Sequence, residues 1–239
     1  EYRLDNALAI TPTLTLEKIG DVNEAGAASV AVNGNSTRFE TSDELTIKAV
    51  DTDNKEVTQT TTVAASGKWN AALDVSGLKD GTITVTVNGT NDLGAPAEEA
   101  GTTFTLTQTK PTVDDSQTSI NPTYAVAGAE VKVTATFDKD VTTPTGSTLG
   151  TAAINWTAHS DTRTEWVGMV NVEPVADSVK SLTLTLKGFQ DAAGNTGFEY
   201  RLDNALAITP TLTLEKIGDV NEAGAASVAV NGNSTRFET

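Results

Sequence analysis

Asp138 and Asp140 stand two residues apart in FDKDV, and Asp191 and Asn195 bracket the turn DAAGN. With Asp114 and Asp115 upstream, they offer carboxylate and amide oxygens of the kind that calcium takes, about six to eight at a time. Two loops sharing one end of a β-sandwich would bring these side chains together, next to the segment bearing Asp114 and Asp115. An ordinary turn is the competing reading: Asp and Asn bond their own backbone, and Gly194 supplies a positive φ. Residue types alone leave both open. A looser group comprises Asp92 in TNDLGAP and Asp21 near Asn23 and Glu24, with Asp203 or Asp5 able to approach. It departs further from the pattern, because TNDLGAP lacks the Asn of DAAGN.

Other chemistry finds less support. Asp51-Thr-Asp53-Asn54 opens like an EF-hand loop, but Lys55 fills the fifth position and no Gly the sixth. That motif fails, and a plain turn is the better account. His159, the single histidine, lies in AHSDTR with nothing to position it as a base, so a Ser-His-Asp triad is not supported. Trp69 follows the tight Ser66-Gly67 turn and reads as a core anchor. Trp156 and Trp166 fall on adjacent strands; outward-facing they could stack on sugars, but core packing is preferred. No phosphate loop, metal-hydrolase motif or amphipathic helix is visible, and the chain is read as not an enzyme.

The elements that would carry these loops are strands. Thr and Val are abundant, and β-branched residues suit a pleated surface better than a helix. Runs at 13–19, 28–32, 45–50, 57–63, 69–75, 82–88 and 103–107 alternate in polarity, with Gly34, Ser66-Gly67, Asp80-Gly81 and Asn91-Asp92-Leu93-Gly94 as punctuation. Seven strands in this span are the number and spacing of an immunoglobulin-like sandwich. Leu14, Leu16, Leu45, Ile47, Ile83, Val85 and Val87 are placed inward. The second half offers strands at 131–137, 153–157, 163–172, 182–186 and 200–208, with a first strand split between 112–113 and 124–126. Aromatic content of only 5% means that each core rests on a few large side chains.

A repeat frames the whole. Residues 1–41 recur unchanged as residues 199–239, an offset of 198. Identity at this length marks a repeating block, and such arrays serve length, spacing or multivalency. The seams are placed at Thr11-Pro12, Thr109-Lys110-Pro111 and Thr209-Pro210, where the ring extends the preceding residue. The organisation expected is a closing strand at 1–10, sandwiches at 11–109 and 110–208, and the start of a further copy of the first at 209–239. The fold class is therefore all-β, with tandem immunoglobulin-like β-sandwich domains arranged end to end and a partial third domain.

Charge narrows the partners. A net charge of -16 opposes nucleic acid, whose phosphates need the other sign, and leaves divalent cations plausible. The acidity also serves solubility alone. No cysteine is present, so disulfides and thiolate metal sites are excluded. No apolar run approaches the roughly 20 residues of a membrane helix. No signal peptide is visible, which is what a window from within an array would show.

SGKWNAALDVSGLKDGTITVTVNGTNDLG in residues 12–108, and FDKDV with SLTLTLKGFQDAAGNTG in residues 110–208, resemble bacterial Ig-like repeats of giant secreted adhesins and biofilm proteins. The resemblance covers nearly the whole chain. It implies an extender or stalk segment of a bacterial cell-surface adhesin, in which neighbouring repeats of the same chain are the partners and a distal region meets host or surface ligands. It also implies calcium at domain junctions as the cofactor, here through Asp138, Asp140, Asp191, Asn195, Asp114 and Asp115, and through Asp92 and Asp21. The alternatives are a glycan- or protein-binding module and a self-assembling fibre or surface-layer subunit.

Overall fold

The computed structural model describes residues 11–158, 163–216 and 230–234, and the fold is all-β apart from one helical turn. One compact unit is formed by the described residues up to Thr109 together with Ala193–Asn195, and a second by the described residues from Lys110 onward without those three.

In the first unit the strands are β1 (Thr13–Leu16), β2 (Val22–Asn23), β3 (Val30–Thr37), β4 (Glu44–Val50), β5 (Glu56–Thr62), β6 (Lys68–Leu73), β7 (Gly81–Gly89) and β8 (Ala100–Thr107). They make a sheet of order β1-β3-β6 and another of order β2-β8-β7-β4-β5. The opening strand is shared between the sheets. β1 pairs antiparallel with β3; the chain then leaves at Leu16, and β2 pairs parallel with β8. This exit is why the alternating run 13–19 stops being a strand at Leu16. Polarity alternation does the rest: Leu45, Ile47, Ala49, Ile83, Val85 and Val87 are fully buried between the sheets. Each buried aliphatic side chain of this size contributes about 1.5–3 kcal/mol.

Two local features differ from the expectation. Gly34 does not end a strand: β3 runs through it to Thr37, because the indole of Trp69 on β6 lies directly over the glycine, opposite it in register. A short helix, α1 (Glu24–Ala27), stands alone among the strands of the described residues. Asn23 caps it by accepting from the Gly26 amide at 3.1 Å. Four residues are too few to carry a helical period.

The second unit repeats the plan. β9 (Ser119–Asn121), β10 (Tyr124–Ala125), β11 (Glu130–Thr136), β12 (Thr148–Leu149), β13 (Ala152–Ala153), β14 (Asn155–Ala158), β15 (Glu165–Asn171), β16 (Ser181–Leu186) and β17 (Tyr200–Ile208) form sheets of order β14-β15-β11-β9 and β10-β17-β16-β12-β13. The first strand is split here and again changes sheet, with its second half near the expected 124–126 but its first half at 119–121 and not at 112–113: β9 pairs with β11, whereas β10 lies parallel to β17. Val113 adds a single bridge to Phe137. The core is built around Leu184, Leu186, Leu206, Val133 and a tilted Phe137–Phe189 pair with centroids 4.7 Å apart.

Beyond Ile208, β18 (Leu212–Leu214) and β19 (Gly232–Ser234) form a two-stranded antiparallel ladder. Its pairs Leu212↔Ser234 and Leu214↔Gly232 reproduce Leu14↔Ser36 and Leu16↔Gly34 at the 198-residue offset. The closing strand expected at 1–10 lies outside the described residues.

Candidate functional site

Asp114, Asp115, Asp138, Asp140 and Asp191 all belong to the second unit, and most have partners there. The Asp138 carboxylate accepts from the Thr112 amide at 2.7 Å, and the Asp138 amide donates back to the Thr112 carbonyl at 3.1 Å. Asp114 accepts from the amide and hydroxyl of Ser116 through one oxygen, while its carbonyl receives the Thr118 amide. This is the Asx turn foreseen as the competing reading. Asp115 accepts a hydrogen bond from the Tyr200 hydroxyl. Asp140 is exposed and lines a cleft of about 320 Å³ with Thr142, Arg163, Gln190 and Asp191. Asp191 is buried, with the ammonium of Lys139 at 3.9 Å.

Lys139 is the residue the search for oxygen ligands passed over, although it stands in the middle of FDKDV. It places a fixed positive charge beside the most buried carboxylate of the group. Among the described residues no three His, Cys, Asp or Glu side chains gather where they could hold one ion. Calcium takes about six to eight oxygen ligands around one point, carboxylates prominent among them. These residues, as arranged within the unit, do not fit a calcium cage. Chelation is accordingly expected to leave the unfolding temperature of the second unit unchanged, while Lys139→Ala lowers it; a calorimetric scan with and without EDTA measures both.

Tyr200 carries the clearest electrostatic signature. Burial first, and then the hydrogen bond to the Asp115 carboxylate and its charge, push the phenol from 10.0 to about 12. A raised folded value favours the neutral phenol, so its contribution to stability is complete below pH 10 and disappears as pH climbs toward about 12. Alkaline titration of phenolate absorbance is expected to show Tyr200 ionising late, and Asp115→Asn to move it back toward the ordinary range.

In the first unit, Asp21 accepts from the Thr105 amide on β8 at 2.9 Å. Asp92 sits exposed in a turn whose organiser is its buried neighbour Asn91. The Asn91 side chain accepts from the Ala95 amide at 2.9 Å and donates to the Arg38 carbonyl at 3.0 Å. Asn195 is grouped with this unit, where its buried amide accepts from the Glu24 amide and donates to the Thr107 carbonyl, each at 2.9 Å. Asp51 forms a turn: one oxygen accepts from the amides of Asp53 and Lys55, and the other from that of Lys79. These bonds, the one from Lys79 foremost, hold its carboxyl below the usual range. Asp80, which sequence reasoning used only as a turn signal, ties down the end of β8. It accepts from the Gln108 amide and from the amide and hydroxyl of Thr109. Burial opposes ionisation of Asp80, and these donors, led by the Thr109 hydroxyl, outweigh it and lower its pKa.

The tryptophans are packing residues. Trp69 and Trp166 are buried, and Trp156 packs against the second core. Trp156 pairs with Gly168 across β14 and β15, as Trp69 pairs with Gly34. Both units thus seat an indole over a glycine on the adjoining strand. Trp156 and Trp166 therefore do not form an outward sugar platform. His159 lies outside the described residues.

No helix among the described residues is long and apolar enough to cross a membrane. No protein-family model matches the chain, and no curated protein matches it. Among solved structures, the chain is similar to a tetra-tandem repeat in the extending region of a large adhesion protein, at 18% identity and a TM-score of 0.36. That match covers 94% of this chain and 56% of the other, so the chain spans little more than half of that structure. It is also similar to the I67–I69 fragment of the titin I-band, at 12% identity over 94% of this chain and 77% of that one, with a TM-score of 0.47. The fibronectin(III)-like modules of Clostridium thermocellum CbhA match at 14% identity over 82% and 95%, with a TM-score of 0.32. At these values the likenesses assign no family.

Proposed function

We propose that this chain is a spacer segment of a repetitive bacterial surface adhesin, whose contribution is length and copy number rather than chemistry. One observation carries the reading. The invariant 41-residue segment contains the closing strand of one sandwich, β17, and the opening ladder of another, β18 with β19. Identity is thus kept across the junction between modules, where a repetitive stalk needs successive modules to join in one way. A net charge of -16 suits an extracellular, solvent-facing role and discourages association between neighbouring stalks. Cell-surface location, ligand contact through a distal region and a part in biofilm formation belong to this proposal. Its stability is assigned to the loops' own hydrogen bonds, since among the described residues no three His, Cys, Asp or Glu side chains gather around one point.

Small-angle scattering on chains of one, two and three 198-residue blocks tests it. The maximum dimension is expected to rise by a constant increment per block. Growth with the cube root of mass would show collapse into a globule and remove the spacer reading. Polymers that form from the single block as concentration rises would favour the fibre alternative instead.

A further inference from the structure

We propose that the apolar face of the β18–β19 ladder is a docking half whose occupant is a stretch with the sequence of residues 42–109. This rests on the tandem reading above and names the partner that completes it. The argument compares two identical sequences in two settings. The ladders share their register, and the Glu215 amide donates to the Asn231 carbonyl at 2.8 Å as the Glu17 amide does to Asn33 at 2.9 Å. Their surroundings differ. Leu14 is 7% exposed and Val32 0%, whereas their counterparts Leu212 and Val230 are 74% and 58% exposed, and Leu214 stands at 77%.

What covers the first copy is known residue by residue. β6 pairs along the free edge of β3, its Trp69 over Gly34. From the opposite sheet, Ile47, Val85, Phe104 and Leu106 join the cluster that holds Leu14 and Val32. All of these cover residues fall within 42–109. A ladder of identical sequence and matching register fits the same cover, and two strands with an open apolar face are marginal alone. A second copy of the chain is a poor source, because its own residues 42–109 are already covered by residues 11–41.

The test appends residues 42–109 after Thr239 and follows hydrogen exchange at the Glu215 amide. Completion is expected to slow that exchange on the order of 100-fold, towards the rate of the Glu17 amide. The same extension carrying Leu212→Asp is expected to leave Glu215 fast while Glu17 stays slow. Unchanged exchange in the extended chain overturns the proposal. Protection that grows with concentration of the unextended chain also overturns it, by giving the face to a second copy. Scattering from the multi-block chains reads the spacer function separately, so a docking failure and a spacer failure are distinguishable.

Discussion

Gly34→Ala will lower the stability of the first sandwich by about 3 kcal/mol, the upper part of the range for forcing extra atoms into a packed site. A methyl group there would lie 1.9 Å from the Thr15 carbonyl oxygen and 2.3 Å from the Trp69 ring. Neither neighbour can retreat cheaply, since the carbonyl belongs to the β1–β3 ladder and the indole is buried. For a unit of about 100 residues, that loss lowers the unfolding temperature by roughly 12–24 °C. Gly20→Ala is the control, because its added methyl meets nothing within 4 Å, and a change within about 0.5 kcal/mol is expected. Calorimetry on both variants decides the matter. Comparable unfolding temperatures would mean that the Trp69–Gly34 seat is soft and that β3 does not depend on it.

The second large effect is a contrast between twins. Leu14→Ala removes a side chain buried between two sheets, and about 2–5 kcal/mol of stability goes with it. Leu212→Ala makes the same change in the same local sequence, yet its side chain is mostly exposed, and less than about 0.5 kcal/mol is expected. Denaturant titration of the two variants measures the difference directly. Equal effects would show that the leucine acts through the local ladder, and not through the covering sheet.

Much of the fold could be read from alternation alone. Alternation over five or more residues marked half-buried strands in β4, β7, β11 and β16, and in β4 and β7 the inward side chains were the expected ones; the run 13–19 is the exception, since its strand ends at Leu16. The opening strand of the second unit was legible only in its second half, β10, because β9 lies in the largely polar stretch 116–121 and shows no apolar pattern. What escaped was set by partners distant in sequence. Gly34 reads as a break unless Trp69 is known to lie above it. β12 and β9 are too short to show a period. The acidic residues were correctly seen to lie in loops, but their partners are mainly backbone amides, which carry no sequence signature. Thr112 meeting Asp138, or Thr109 meeting Asp80, follows from register and not from residue type. Lys139 is different: it stands in plain view inside FDKDV, but its ion pair with Asp191 depends on a fold contact that the residue types do not announce.

The repeated stretch holds the closing strand β17 and the opening ladder of β18 and β19 together, so it runs across a junction between modules. Homologous exchange between gene copies at any point inside it would therefore delete or add one full 198-residue period in frame. Every recombinant junction would join the same closing strand to the same opening strand. Stalks of many lengths could arise from one gene without a chimeric core ever being produced.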